Sequence, residues 1–183
     1  MRNRYVFYLV LAAMLVAGCG SDSPTGPKSS PGEWSAKVTG DVSTEMSGQA
    51  VFNSQGFDPI TGTPGLLITL ASASPRTGLG LFLVFPGDSR PGQAAYEVGQ
   101  YDTSAENLIK QEQDPDRVYV QVLVPDEGGT ELFFSVSGRV RITTSASNAI
   151  GGEFELTART TDFENEGEKF VEVKGDFAAI GFF

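Results

Sequence analysis

The side-chain inventory of this chain narrows its chemistry more by absence than by presence. Its 183 residues hold no histidine and one cysteine, Cys19, against 23 aspartates and glutamates. Without imidazole there is no Ser-His-Asp triad, no Cys-His dyad, no histidine zinc site and no histidine general base. One cysteine forms no internal disulfide and no multi-thiolate metal centre. Two carboxylates at a suitable separation can hydrolyse a glycoside, but no local signature singles out such a pair. No catalytic residue, cofactor site or metal site is assigned on these grounds, and the reading is non-enzymatic.

Cys19 is the residue with a definable role. Arg2 and Arg4 precede an uncharged apolar run over residues 5–17, which ends in Ala17-Gly18-Cys19. A basic start, a short apolar core and a small-residue cleavage site make a secretory signal peptide. The run is too short for a spanning helix, which needs ~20 apolar residues. Leu15-Val16-Ala17-Gly18-Cys19 resembles the lipobox of bacterial lipoproteins. That resemblance implies a diacylglyceryl group on the Cys19 thiol, cleavage just before it, and frequent acylation of the new amino terminus. Each buried CH₂ would add ~0.8 kcal/mol of attachment, so the implied partner of Cys19 is a lipid bilayer. Gly20 stands where Asp favours inner-membrane retention in Gram-negative lipoproteins. The implied address is therefore the outer membrane, on its periplasmic or surface face.

Three further segments imitate functional motifs. Leu83-Val84-Phe85-Pro86-Gly87-Asp88-Ser89 is similar to the Gly-Asp-Ser nucleophile segment of one esterase and lipase family. That family completes its triad with Asp and His, so Ser89 lacks its base, and Arg90-Pro91-Gly92 makes the segment a plain turn. Asp162-Phe163-Glu164-Asn165-Glu166-Gly167 opens like an EF-hand loop, but position twelve is Val173 instead of Glu. Looser calcium sites at Asp162, Glu164 and Glu166, or at Glu112, Asp114 and Asp116, compete with the simpler reading of solvated turn carboxylates. Phe182-Phe183 resembles the end of an outer-membrane barrel, but Gly175, Ala179 and Gly181 break the lipid-facing alternation.

The elements that must carry these residues read as three units. Residues 1–18 form the signal peptide. Cys19 and the Ser/Gly/Pro-rich stretch to residue 32 form a disordered tether with no large apolar side chain. Residues 33–183 form one β-domain. Losing residues 1–18 removes Arg2 and Arg4 and leaves 11 basic against 23 acidic residues, a net charge of −12. Such a field repels nucleic acid and anionic headgroups.

Within the domain, short runs alternate apolar with polar residues between Gly, Pro and Asp turns. Trp34, Ala36 and Val38 start the series. Residues 42–46 continue extended after Gly40-Asp41, and strands follow at 49–53, 66–71, 79–85, 93–101, 118–124, 131–137 with 139–144 as its continuation or partner, 152–160 and 169–178. Residues 79–85 are apolar on both faces, as in a doubly covered strand. Residues 102–116 are the one candidate helix, with a Thr103/Glu106 capping box and an apolar Leu108-Ile109 face. The pattern Val-x-Gly-x-apolar recurs at Gly40, Gly138 and Gly175 and marks bent strands. The predicted fold is an all-β antiparallel sandwich or flattened barrel of about nine to ten strands. An apolar-ligand carrier, with residues 102–116 as a lid, is the alternative to a binding or structural module. The state of the domain interior discriminates between the two.

Overall fold

The computed structural model describes residues 28–73, 80–87, 90–102, 111–126, 129–160 and 167–181. Cys19, Ser89, Asp162, Glu164, Glu166 and Phe182-Phe183 lie outside them, as do residues 103–110 of the candidate helix.

Nine strands follow one another: β1 Glu33–Gly40, β2 Thr44–Phe57, β3 Pro64–Ser72, β4 Leu81–Pro86, β5 Ala95–Glu97, β6 Tyr119–Asp126, β7 Gly129–Ala146, β8 Ala149–Thr160 and β9 Phe170–Gly181. Two long strands settle boundaries that the alternation leaves open or places elsewhere. The first strand ends at Gly40 instead of continuing through 42–46, and residues from Thr44 join 49–53 in β2, which runs on to Phe57 and shortens the expected 55–65 loop to residues 58–63. Residues 139–144 are the continuation of 131–137 and not its partner: both lie in β7, which bends through Gly138 at φ +136.

Each strand pairs antiparallel with the next around the ring, and the circuit closes because β7 pairs β8 while β9 pairs β1. β5 and β6 share one place in that ring. Both lie along the same edge of β7, opposite Arg139–Arg141 and Gly129–Phe134 respectively, and the chain leaves at Val98 and returns at Val118, which bridge each other. The barrel therefore has eight strand positions in up-and-down order. The sandwich alternative is overturned, since closure of the hydrogen-bond ladder leaves one continuous sheet. Closure also removes exposed strand edges, the usual hazard of an all-β chain.

Inward-facing positions carry one continuous cluster that includes Trp34, Met46, Phe52, Ile68, Leu83, Val122, Phe133, Phe154, Leu156 and Phe177. An eight-strand barrel is just wide enough for its side chains to fill. The Trp34 indole N–H donates to the Ala71 carbonyl at 2.9 Å, so this large side chain is buried without an orphaned donor. At Gly175 a Cβ would lie 2.3 Å from the Ser35 oxygen and 2.7 Å from the Phe154 ring. Phe154 is the direct cross-strand neighbour of Gly175 and covers it, so the glycine lets β9 press against β1 where the sheet curls.

A second, smaller core sits outside the barrel. Val84, Tyr119 and Phe134 point outward from β4, β6 and β7, and Tyr101, Ile60, Leu67 and Leu132 complete the cluster. This is why residues 79–85 read as apolar on both faces. The chain from Val98 to Val118 leaves the wall and packs its flanks back over it.

Candidate functional site

Two outer walls of the barrel bring polar side chains together, and they do so in opposite ways. The first is the covered wall, centred on Asp58 in the β2–β3 connection. This residue is fully buried. Its Oδ1 accepts the backbone N–H groups of Ile60 at 2.7 Å and Thr61 at 3.0 Å, together with Gln121 Nε2 at 2.9 Å. Its Oδ2 accepts the Tyr101 hydroxyl and Gln113 Nε2. A buried carboxylate without a cation is tolerated when donors surround it, and here five do. Asp-Pro turn chemistry at Asp58-Pro59 supplies the two backbone donors, and the outward parity of β6 supplies Gln121.

Tyr101 is locked by this arrangement. Its ring meets Tyr119 and Phe134 edge to face at 5.4 and 5.2 Å. Burial, and then the Asp58 charge beside it, push the phenol far above its ordinary value, so it stays a hydrogen-bond donor. Tyr119 in turn accepts the Asp114 N–H at 3.0 Å. Tyr101, Gln113 and Asp114 thus tie both flanks of the 98–118 excursion to the outer wall. Of the expected lid 102–116, residues 103–110 lie outside the described residues; its described flanks lie against the side of the barrel, and residues 111–117 are not helical. Ser135 finishes the junction, its hydroxyl donating to the Gly99 carbonyl and accepting the Val120 N–H.

The second is a bare wall formed by β5, β7, β8, β9, β1 and β2. Its outward residues align in two cross-strand rows. One runs Glu97, Arg139, Glu155, Lys174, Lys37, Glu45, and the other Ala95, Arg141, Glu153, Asp176, Ser35, Ser47. Ion pairs join Arg139 to Glu97 at 3.1 Å, Lys174 to Glu155 at 3.3 Å and Arg141 to Glu153 at 3.8 Å. All six side chains are about half exposed or more, which makes each pair weak. Lys37 stands directly opposite Lys174, a like-charge pair of the kind that destabilises a sheet.

These rows line a broad open depression of about 1720 Å³. Its basic residues are Lys28, Lys37, Arg139, Arg141 and Lys174, against Glu45, Glu153, Glu155 and Asp176. The chain enters the barrel here. Asp176 Oδ2 accepts the Ser29 N–H at 2.7 Å and the Ser29 hydroxyl at 2.6 Å, and the Gly32 N–H donates to Ala178. The segment expected to be tether is therefore fastened to the wall from Ser29 onward.

Sequence-assigned positions scatter relative to both walls. Glu112, Asp114 and Asp116 are exposed, and Asp114 spends its carboxylate on Arg117 and on the Asp116 N–H. Among the described residues no three His, Cys, Asp or Glu side chains group as metal ligands. Asp58, Tyr101 and Gln121 were not legible as a cluster. The available signal was Gln121 and Tyr119 opposing an all-valine face, which marks an outer wall but not what covers it. No protein-family model, curated protein or solved structure matches the chain.

Proposed function

We propose that this chain is a lipid-anchored lipoprotein of the bacterial cell envelope, whose barrel is a non-enzymatic binding or structural module working through its outer surface. The observation that carries this reading is the interior. Trp34, Phe52, Phe85, Phe133, Phe154 and Phe177 fill the space that a carrier barrel would keep for its cargo. Recognition then falls to the outside, where the bare wall offers ordered rows of donors, acceptors and charges. The Asp58 cluster supports the same division, since a carboxylate with five donors is committed to holding the fold.

Anchoring rests on the lipobox at Leu15-Val16-Ala17-Gly18-Cys19 and on the polar segment between Cys19 and Ser29. Gly20 points to the outer membrane. Mass spectrometry of the native amino terminus tests this directly. The expected species begins at Cys19 and carries a thioether-linked diacylglycerol. An unmodified terminus, on either side of Cys19, overturns the anchor.

A further inference from the structure

We propose that the bare wall is the face the barrel turns toward its own membrane, with the phosphate headgroups of the anchoring leaflet as its partner. The inference rests on the anchored reading above and adds an orientation and a contact surface to it.

Charge polarity is the first ground. The chain carries 13 basic and 23 acidic residues, yet the depression on the bare wall is lined by five basic and four acidic ones, and Glu97 beside Arg139 brings the wall to balance. The acidic excess lies elsewhere. In the sequence, Glu127, Asp162, Glu164, Glu166 and Glu168 fall between β6 and β7 and between β8 and β9, outside the strands of this wall. An anionic surface therefore repels the bare wall less than the charge of the whole chain implies. Such discrimination acts within a Debye length, about 8 Å at physiological ionic strength, and so matters only for a tethered molecule held close.

Chain geometry is the second ground. Ser29 is pinned to Asp176 within the wall, and Lys28 lines the depression. From Cys19 to Lys28 the chain reaches at most about 30 Å when fully extended. The wall carrying the chain entry is thus held near the lipid.

Unmet charge is the third. Among the described residues, Lys37 has no ion pair or side-chain hydrogen bond, and it faces Lys174 across the β1–β9 ladder. An anionic oxygen set between the two ammonium groups relieves their repulsion. A lipid phosphate has that chemistry, and the anchor would hold it within reach.

The test uses the acylated full-length protein in phosphatidylethanolamine–phosphatidylglycerol vesicles, with headgroup-linked quencher lipid. A fluorophore is attached at Ser47→Cys on the bare wall or at Thr130→Cys at the start of β7; Cys19 is occupied by lipid. Quenching at position 47 is expected to exceed that at position 130 at least threefold or so, a difference that shrinks in high salt. Lys37→Glu with Lys174→Glu is expected to abolish it. Lys37→Gln with Lys174→Gln, which adds no new repulsion within the sheet, is expected to reduce it. Equal quenching at both positions, or a difference indifferent to both double variants, overturns the orientation while the anchor stands. Failure of the protein to float with the vesicles overturns the anchored reading itself.

Discussion

The two outer walls of this barrel are built from the same kind of strand and meet opposite fates. On the β3-β4-β6-β7 side, the chain folds back over Val84, Tyr119 and Phe134 and buries a carboxylate among five donors. On the β7-β8-β9-β1 side, similar numbers of polar groups stay in water as exposed ion pairs. Buried polar groups are costly to disturb, whereas exposed pairs are worth little to the fold. The covered wall is therefore committed to stability. The bare wall is free to change with a partner without unfolding the barrel.

The contrast breaks most readily at Asp58. Asp58→Ala strands the Tyr101 hydroxyl, two glutamine amides and two backbone N–H groups in a buried site. A loss of about 3–5 kcal/mol is expected, read as a fall in the urea midpoint. Retention of wild-type stability would mean that water reaches the site and the covered wall is not a core.

Tyr101→Phe keeps the ring contacts and removes the hydrogen bond donated to the charged Asp58 together with the one accepted from Gln121, an expected cost of about 1.5–3 kcal/mol. The same residue supplies a pH signature. Its phenol is held neutral in the folded protein above its ordinary value, so its contribution is intact below the unfolded pKa of about 10. Above that pH the unfolded chain gives up a proton that the folded chain retains, and stability falls by about 1.4 kcal/mol per pH unit from this group. The slope should be absent in Tyr101→Phe. An identical alkaline slope in both proteins would contradict the burial of the hydroxyl.

The smallest effects belong to the bare wall. Arg139→Ala, Glu155→Ala and Lys174→Ala should each move stability by no more than about 0.5 kcal/mol. A loss comparable to that of Asp58→Ala at any of them would erase the distinction between the walls.

Much of the barrel was legible in the sequence, because period-two alternation reports which side of a strand is buried. Trp34, Ala36 and Val38, and the valines from 118 to 124, face inward as that pattern implies. Strand ends were harder to read. Gly138 marks a bend with positive φ inside β7, yet glycine in a strand pattern has the same appearance at a break. Barrel and sandwich were not separable, since both share one alternation and differ only in whether β7 finds β8 and β9 finds β1.

The Asp58 cluster was invisible for a related reason. Asp58, Tyr101 and Gln121 are 43 and 20 residues apart in succession, and only the β3–β4 and β4–β6 pairings bring the β2–β3 turn beside β6. The bare wall was half legible. Its charges appear as polar members of alternating strands, but their alignment into rows depends on register.

Lysine acetylation in isolated envelopes, compared with the detergent-extracted protein, tests the division between the walls most directly. Lys37 and Lys174 are expected to be protected in the envelope and to react fully after extraction, while Lys169, paired with Glu131, reacts alike in both. Equal reactivity of Lys37 and Lys174 in the two states would show that the bare wall meets nothing in place, and would contradict its role as the working face of the barrel.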